Sequence, residues 1–160
     1  MALRDIVMKD DPVLGKKSRP VEKFDRKLWD LLDDMKETLG NRGLGLAAPQ
    51  IGILRCVALV VNDEGEMIEL VNPKILSMSG EEEALEGCLS YPGYWGFVSR
   101  PTEVTVEAQD RNGKTFQVSG EGIVARCFCH EIEHLEGVLY TSHCERVYDS
   151  EELEELENED

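Results

Sequence analysis

The stretch Cys129-His130-Glu131-Ile132-Glu133-His134-Leu135-Glu136-Gly137 decides how the rest of the chain is read. It lies in a run whose Ile123, Val124, Cys127, Ile132, His134 and Leu135 keep largely to one face, which predicts a helix from Glu121 onward. On such a helix His130 and His134 stack one turn apart, close enough for both imidazoles to reach one metal ion. Glu131 follows the first His and sits beside such an ion, where it can take a proton from water. This HExxH spacing is that of zinc-type hydrolases, although a charged surface helix can spell it by chance.

Two imidazoles do not complete a metal site; a third protein ligand is required, with a further position left open for water. A third His three residues beyond Gly137 would be one solution, but position 140 is Tyr. A downstream Glu on another packed helix would be a second, and only the acidic C-terminal run offers one, with too few apolar residues to pack. The third ligand is therefore expected upstream, with Cys88 in EGCLSYPG as the candidate. Gly87 and Pro92-Gly93 flank it with turn signals, so a turn can present its thiolate. The competing role is that of a small buried apolar residue, the commonest one for a free Cys.

The surrounding sequence is that of a single globular domain. The chain has 160 residues, 41% of them hydrophobic and 31% charged. Lys and Arg number 17 against 33 Asp and Glu, a net charge of -16. That balance argues against a basic face for nucleic acid or for an anionic membrane surface. No apolar run approaches the ~20 residues of a membrane span. MALRDIVMKDDP carries charge where a signal peptide would be apolar, so a cytoplasmic location is expected. The five cysteines (Cys56, Cys88, Cys127, Cys129, Cys144) then meet a reducing environment; their number is odd and no CxxC occurs, so no disulfide framework is expected.

Elsewhere the pattern is helix, several strands, then helix, without regular alternation. Residues 1–23 look irregular, broken by Asp11-Pro12 and Arg19-Pro20. A helix is predicted from Asp25, with Leu28, Leu31, Leu32, Met35 and Leu39 on one face and Gly40 as its stop. Cys56–Val61 reads as a buried strand. Short strands are predicted at Met67–Val71 and Lys74–Ser77, and a hairpin joins Val104–Gln109 to Thr115–Val118 across Asn112-Gly113. The fold class is therefore α+β, short antiparallel strands packed around the HExxH helix with an N-terminal helix before them. Residues 1–148 form one catalytic domain in this reading. Residues 149–160, DSEELEELENED, hold eight acids and no base, and are expected as a disordered or frayed helical tail whose removal halves the net charge.

Between the first helix and the first strand runs NRGLGLAAPQIG. Gly43 to Ala48 formally matches a dinucleotide-binding fingerprint, but a helix precedes it where a strand is needed, and Pro49 and Gly52 interrupt the segment after it. A tight loop at Gly45, free of bulky side chains, instead lets backbone approach a substrate. Gln50 offers an amide N–H suited to an oxyanion, or is simply a polar loop residue.

Taken together, GLGLAAPQ (43–50), EGCLS (86–90) and HEIEH (130–134) closely resemble the three signatures of peptide deformylases. The resemblance extends from the early DPVL through VNPKI to HLEGVLY and leaves out only the acidic tail. It implies an enzyme that removes the N-formyl group from nascent polypeptides beginning with formyl-methionine. It implies Cys88, His130 and His134 as metal ligands, Glu131 as general base and then acid, and Gln50 with the Leu89 backbone N–H as the oxyanion site. Leu44, Ile123 and Cys127 would line the methionine pocket beside Gly45. The implied metal is Fe²⁺, with Ni²⁺, Co²⁺ or Zn²⁺ as alternatives. Two departures stand out: Glu133 replaces the usual Asp before the second His, with Arg100 as its candidate partner, and Tyr94-Trp95 stand where many relatives carry a basic residue. In some relatives a basic C-terminal helix docks on ribosomal RNA; the acidic tail here predicts no such docking and no membrane partner. An ordinary HExxH peptidase and a catalytically silent metal-binding module are the competing classes, and intact Glu131 and Gln50 speak against the second.

Overall fold

Asp25 opens the first helix: its side chain accepts a hydrogen bond from the Leu28 N–H at 3.3 Å, and Gly40, with φ 50°, closes it, giving α1 at Arg26–Leu39. Leu28, Leu31, Leu32, Met35 and Leu39 are all buried along one face. Each such Leu contributes roughly 2 kcal/mol of transfer free energy. The computed structural model describes residues 2–158; Met1 and the last two acids of the tail, Glu159 and Asp160, lie outside the described residues.

Seven strands come next: β1 (Gly45–Ala47), β2 (Val57–Val61), β3 (Met67–Ser79), β4 (Glu82–Cys88), β5 (Tyr91–Arg100), β6 (Glu103–Gln109) and β7 (Thr115–Glu121). Five of them form one antiparallel sheet in the order β1-β2-β3-β6-β7, and β4 and β5 pair as a separate hairpin. The second long helix, α2 (Ile123–Leu135), packs on this sheet, and a short α3 (Ser150–Asn158) ends the described chain. The α+β class, with antiparallel strands around an HExxH helix and an N-terminal helix, is what the sequence pattern predicted.

β2 explains the layering. Val57 and Leu59 pack against the buried face of α1, whereas Ala58 and Val60 face α2, with Leu135 and Val124 among their neighbours. A strand covered on both faces reads as a continuous apolar run rather than an alternating one. Phe128 and Ala125 fill the space between α2 and the strands β6 and β7. Two residues past the end of α2, Gly137 turns the chain with φ 80°, and an added Cβ there would lie 2.7 Å from the Gly15 carbonyl oxygen. The N-terminal segment therefore closes tightly over the end of the helix, and Ser18 N–H donates to the Leu135 carbonyl at 2.8 Å.

Four local expectations change. The strands predicted at 67–71 and 74–77 are one strand, β3, with a register shift between Val71 and Lys74. Asn72 takes the left-handed conformation there (φ 50°), and its side chain bonds Val21 on both backbone groups as well as Gln109, which secures the bulge. Not all strands are short, since β3 runs for 13 residues and β5 for 10. The segment around Gly45, read as loop, pairs with β2 and passes into a 3-10 turn at Ala48–Ile51. The turn beside Cys88 is formed by Leu89-Ser90, and Pro92-Gly93 belong to β5.

The acidic segment follows an anchored residue. Tyr148 exchanges two backbone hydrogen bonds with Trp95 of β5, at 2.9 and 2.7 Å. Asp149 and Glu152 then cap α3 reciprocally, each side chain accepting from the other's N–H. No residue of α3 is buried. No helix among the described residues is long and apolar enough to cross a membrane.

Candidate metal centre

The helical spacing of His130 and His134 brings their ring centroids to 4.9 Å. Cys88 closes β4 directly above them: its Sγ lies 3.3 Å from His134 Nε2. One ligand atom from each of Cys88, His130 and His134 lies within 4.8 Å of the others. Both histidines are buried, while Cys88 is half-buried at the floor of an open cavity of about 480 Å³.

The orientation of His130 is set from behind. Its Nδ1 lies 2.8 Å from Glu86 Oε1, leaving Nε2 for the centre. Glu86, itself 5% exposed, also accepts from Arg100 Nε at 2.7 Å and from Arg126 at 2.8 Å. Burial alone would raise this carboxyl; the hydrogen bonds from His130 and Arg100 outweigh it and hold the group at about 2. Arg100, buried between acids, is held above its ordinary pKa because its bonds to Glu86 and Glu133 outweigh desolvation. Its Nη1 reaches Glu133 Oε1 at 2.6 Å, so the longer Glu133 does pair with Arg100, and Glu133 Oε2 meets His143 Nε2 at 2.7 Å.

Tyr140, fully buried, stacks on His130 with ring centroids 5.8 Å apart at 25°. Its hydroxyl donates to the Tyr94 carbonyl at 3.3 Å. The position that fails to supply a third His thus supports the first one. Sequence reasoning missed Glu86, Arg126, Tyr140 and His143 as supporting residues. Only Glu86 had a local signal, its place in EGCLS beside Cys88.

Glu131 is 4% exposed, and burial pushes its carboxyl up to about 7 against the opposing pull of His130. The wall opposite is Gly45, where a Cβ would fall 2.5 Å from Glu131 Oε2. Only glycine leaves that carboxylate its place. Gln50 is held by a hydrogen bond from the Ala47 N–H to its Oε1 at 3.0 Å, which aims Nε2 at Cys88 Sγ and at Ser90 Oγ, each 3.3 Å away. The Val7 N–H donates to the Gln50 carbonyl at 2.7 Å and fixes the backbone beneath. Gln50, Leu89, His130 and Glu131 all line the cavity. So do Leu44, Gly45, Ile123 and Cys127, with Leu44 and Ile123 exposed at its mouth. Burial pushes the Cys127 thiol up to about 12, so it stays protonated as an apolar wall.

The donor set fits a divalent cation. One thiol and two imidazoles suit a transition metal or zinc. Burial and the charge around His134 push it down to about 3, the neutral form that ligation requires. Despite its own burial, His130 is pushed up to about 10 by Glu131, Cys88 and Glu86, so the pocket favours positive charge.

Comparison with known proteins gives one consistent result. The profile of the family described as Polypeptide deformylase matches residues 3–149. Peptide deformylase 2 of Clostridium acetobutylicum is 51% identical over 143 residues, covering 88% of this chain and 95% of its own. The peptide deformylase of Caldicellulosiruptor bescii is 49% identical over 156 residues, covering 97% and 93%. Among solved structures, the Thermotoga maritima peptide deformylase superposes with TM-score 0.86 at 36% identity, covering 91% of this chain and 100% of that one. The Ehrlichia chaffeensis enzyme in complex with actinonin also gives 0.86, at 33% identity, covering 100% and 99%.

Proposed function

The chain belongs to the peptide deformylase family, and from that membership we propose a metal-dependent hydrolase that removes the formyl group from newly made polypeptides beginning with formyl-methionine. The observation that carries the reading is the convergence of Cys88, His130 and His134 within 4.8 Å, with Cys88 and His130 lining a cavity that Glu131 and Gln50 also line. These three residues would hold the ion. A divalent cation there supplies Lewis acidity, which brings the pKa of water toward 7 and polarises a carbonyl. Ligand softness suits Fe²⁺, Ni²⁺, Co²⁺ and Zn²⁺ alike, and we take Fe²⁺ as the ion in the cell because the family resemblance implies it.

The remaining steps belong to the chain's own residues. Glu131, poised near neutrality by burial, takes the proton of the water that attacks the formyl carbon. Gln50 Nε2 and the Leu89 N–H donate to the oxygen on which negative charge develops, and one such donor contributes roughly 3 kcal/mol. Glu131 then delivers its proton to the departing nitrogen as the C–N bond breaks. Formate and a free amino terminus leave. Leu44, Ile123 and Cys127 receive the methionine side chain while Gly45 lets the substrate backbone come close.

Residues 1–148 are the catalytic unit in this proposal, working in the cytoplasm on nascent chains, with the acidic segment outside the chemistry and off the RNA. The test is turnover of formyl-Met-Ala-Ser against acetyl-Met-Ala-Ser by anaerobically purified, metal-quantified protein. Formate release from the first alone is expected. Cleavage at an internal peptide bond would replace this reading with that of an ordinary metallopeptidase.

A further inference from the structure

Of the charged residues lining the cavity, Arg42 and Glu131 have no ion pair among the described residues, and Arg42 is the one cation of the two. Glu86 and Arg126 neutralise each other, His130 pairs with Glu86, and Glu131 is reserved for proton transfer. Arg42, exposed at the mouth, follows the end of α1 and gives its Nε and one Nη to the Thr38 carbonyl, the Nε at 3.1 Å. That contact caps the helix and explains why the side chain is held in place. It uses one edge of the guanidinium, and two of five N–H groups, so the other edge keeps its donors and its full charge.

A second cation stands on the other element of the mouth. The Lys9 ammonium lies 5.1 and 5.8 Å from the ring centroids of Tyr94 and Tyr91, both cavity-lining residues of β5. A chain with net charge -16 thus places two cations at this cavity, Arg42 in its lining and Lys9 over two of its lining rings. Positive charge there in an otherwise acidic molecule matters to what passes through the opening, since local charge at a binding rim sorts partners more than it adds affinity.

We infer that Arg42 is a specificity-determining residue that favours formylated peptides with an acidic side chain in the first two positions after methionine. The inference rests on the deformylase reading and refines its substrate class. A carboxylate there meets the free edge of the guanidinium in an open, partly hydrated setting. An exposed pair of this kind is modest in strength, so the discrimination between acidic and basic side chains is about fivefold, carried by KM.

The test compares kcat/KM on C-terminally amidated formyl-Met-Asp-Ser, formyl-Met-Lys-Ser, formyl-Met-Ala-Asp and formyl-Met-Ala-Lys, with formyl-Met-Ala-Ser as neutral reference. Amidation removes the terminal carboxylate, which would mimic the side chain. The acid-to-lysine ratio is read within each variant, so any general loss of activity cancels. We expect a ratio of about five in the parent protein at one or both positions. Arg42→Lys keeps it above one, Arg42→Gln brings it to one, and Arg42→Glu inverts it. A ratio of one in the parent, with the neutral peptide turned over, overturns the inference and leaves the deformylase reading standing. A ratio that survives in Arg42→Gln overturns it equally, because another group would be the selector. If no formylated peptide is turned over, both fall together.

Discussion

The carboxylate of Glu86 lies 2.8 Å from Nδ1 of His130 and joins that imidazole to the buried guanidinium of Arg100 and the partly buried one of Arg126. The centre is therefore oriented by an ion network that continues through Arg100 to Glu133 and His143. A proton on Nδ1, held by Glu86, leaves Nε2 as a lone-pair donor facing Cys88 and His134.

Glu86→Gln tests this arrangement. The amide can still meet one partner, but it leaves Arg100 and Arg126 less compensated in a buried place and weakens the hold on His130. We expect metal affinity to fall about 10- to 100-fold, read by competition with a chelator. Unfolding free energy should fall by about 3 kcal/mol. Parent-like metal affinity would mean that His130 is positioned by α2 and Tyr140 alone.

A second network, away from the site, gives a pH dependence. Burial would raise the Glu69 carboxyl, but hydrogen bonds from Arg111 and Lys36 outweigh it and hold the group below its ordinary value of 4.5. A depressed folded pKa means that its stabilising contribution is fully present above the unfolded value and is lost as pH falls through the folded one. Glu69→Gln should therefore cost about 1 to 2 kcal/mol at pH 7. The gap to the parent should close as denaturation is repeated at progressively lower pH below 4.5. A gap that stays constant with pH would assign the cost to packing.

The acidic segment gives a third prediction. Arg146 pairs with Glu152, and Asp149 with Glu152 in the cap, but no residue of α3 is buried and exposed ion pairs contribute little. Truncation after Tyr148 keeps the two hydrogen bonds to Trp95 and takes the net charge from -16 to -8. Turnover on a formylated tripeptide should be unchanged. Ribosome co-sedimentation should be equal or stronger, since eight carboxylates facing phosphate are removed. Sedimentation that disappears with the segment would assign it a docking role.

Much of this molecule was legible in its sequence, for local reasons. Asp25 and Gly40 mark the ends of α1, Asn112-Gly113 marks the β6–β7 turn, and the four-residue spacing of His130 and His134 requires α2. The β4–β5 hairpin was not legible. EEALEGC and YPGYWGFVSR alternate weakly, because the Leu85–Phe97 cross-strand pair stays about 40% exposed while the buried positions are Glu86, Gly96, Arg100 and a single apolar Val98. The closeness of Cys88 to His134 is tertiary: the two are 46 residues apart, and nothing near Cys88 separates a ligand from a small buried side chain. The same holds for Glu86, one of 33 acids until the fold buries it beside two guanidiniums and an imidazole.

In the proposed reaction Glu131 moves protons rather than holding metal, and one paired measurement tests this: metal content and formyl-Met-Ala-Ser turnover in Glu131→Gln beside the parent. The variant keeps the size of the side chain against Gly45 and leaves Cys88, His130 and His134 untouched. We predict parent-like metal stoichiometry with kcat reduced by about 10² to 10⁴. Metal lost in step with activity, or turnover that survives the substitution, would contradict the account.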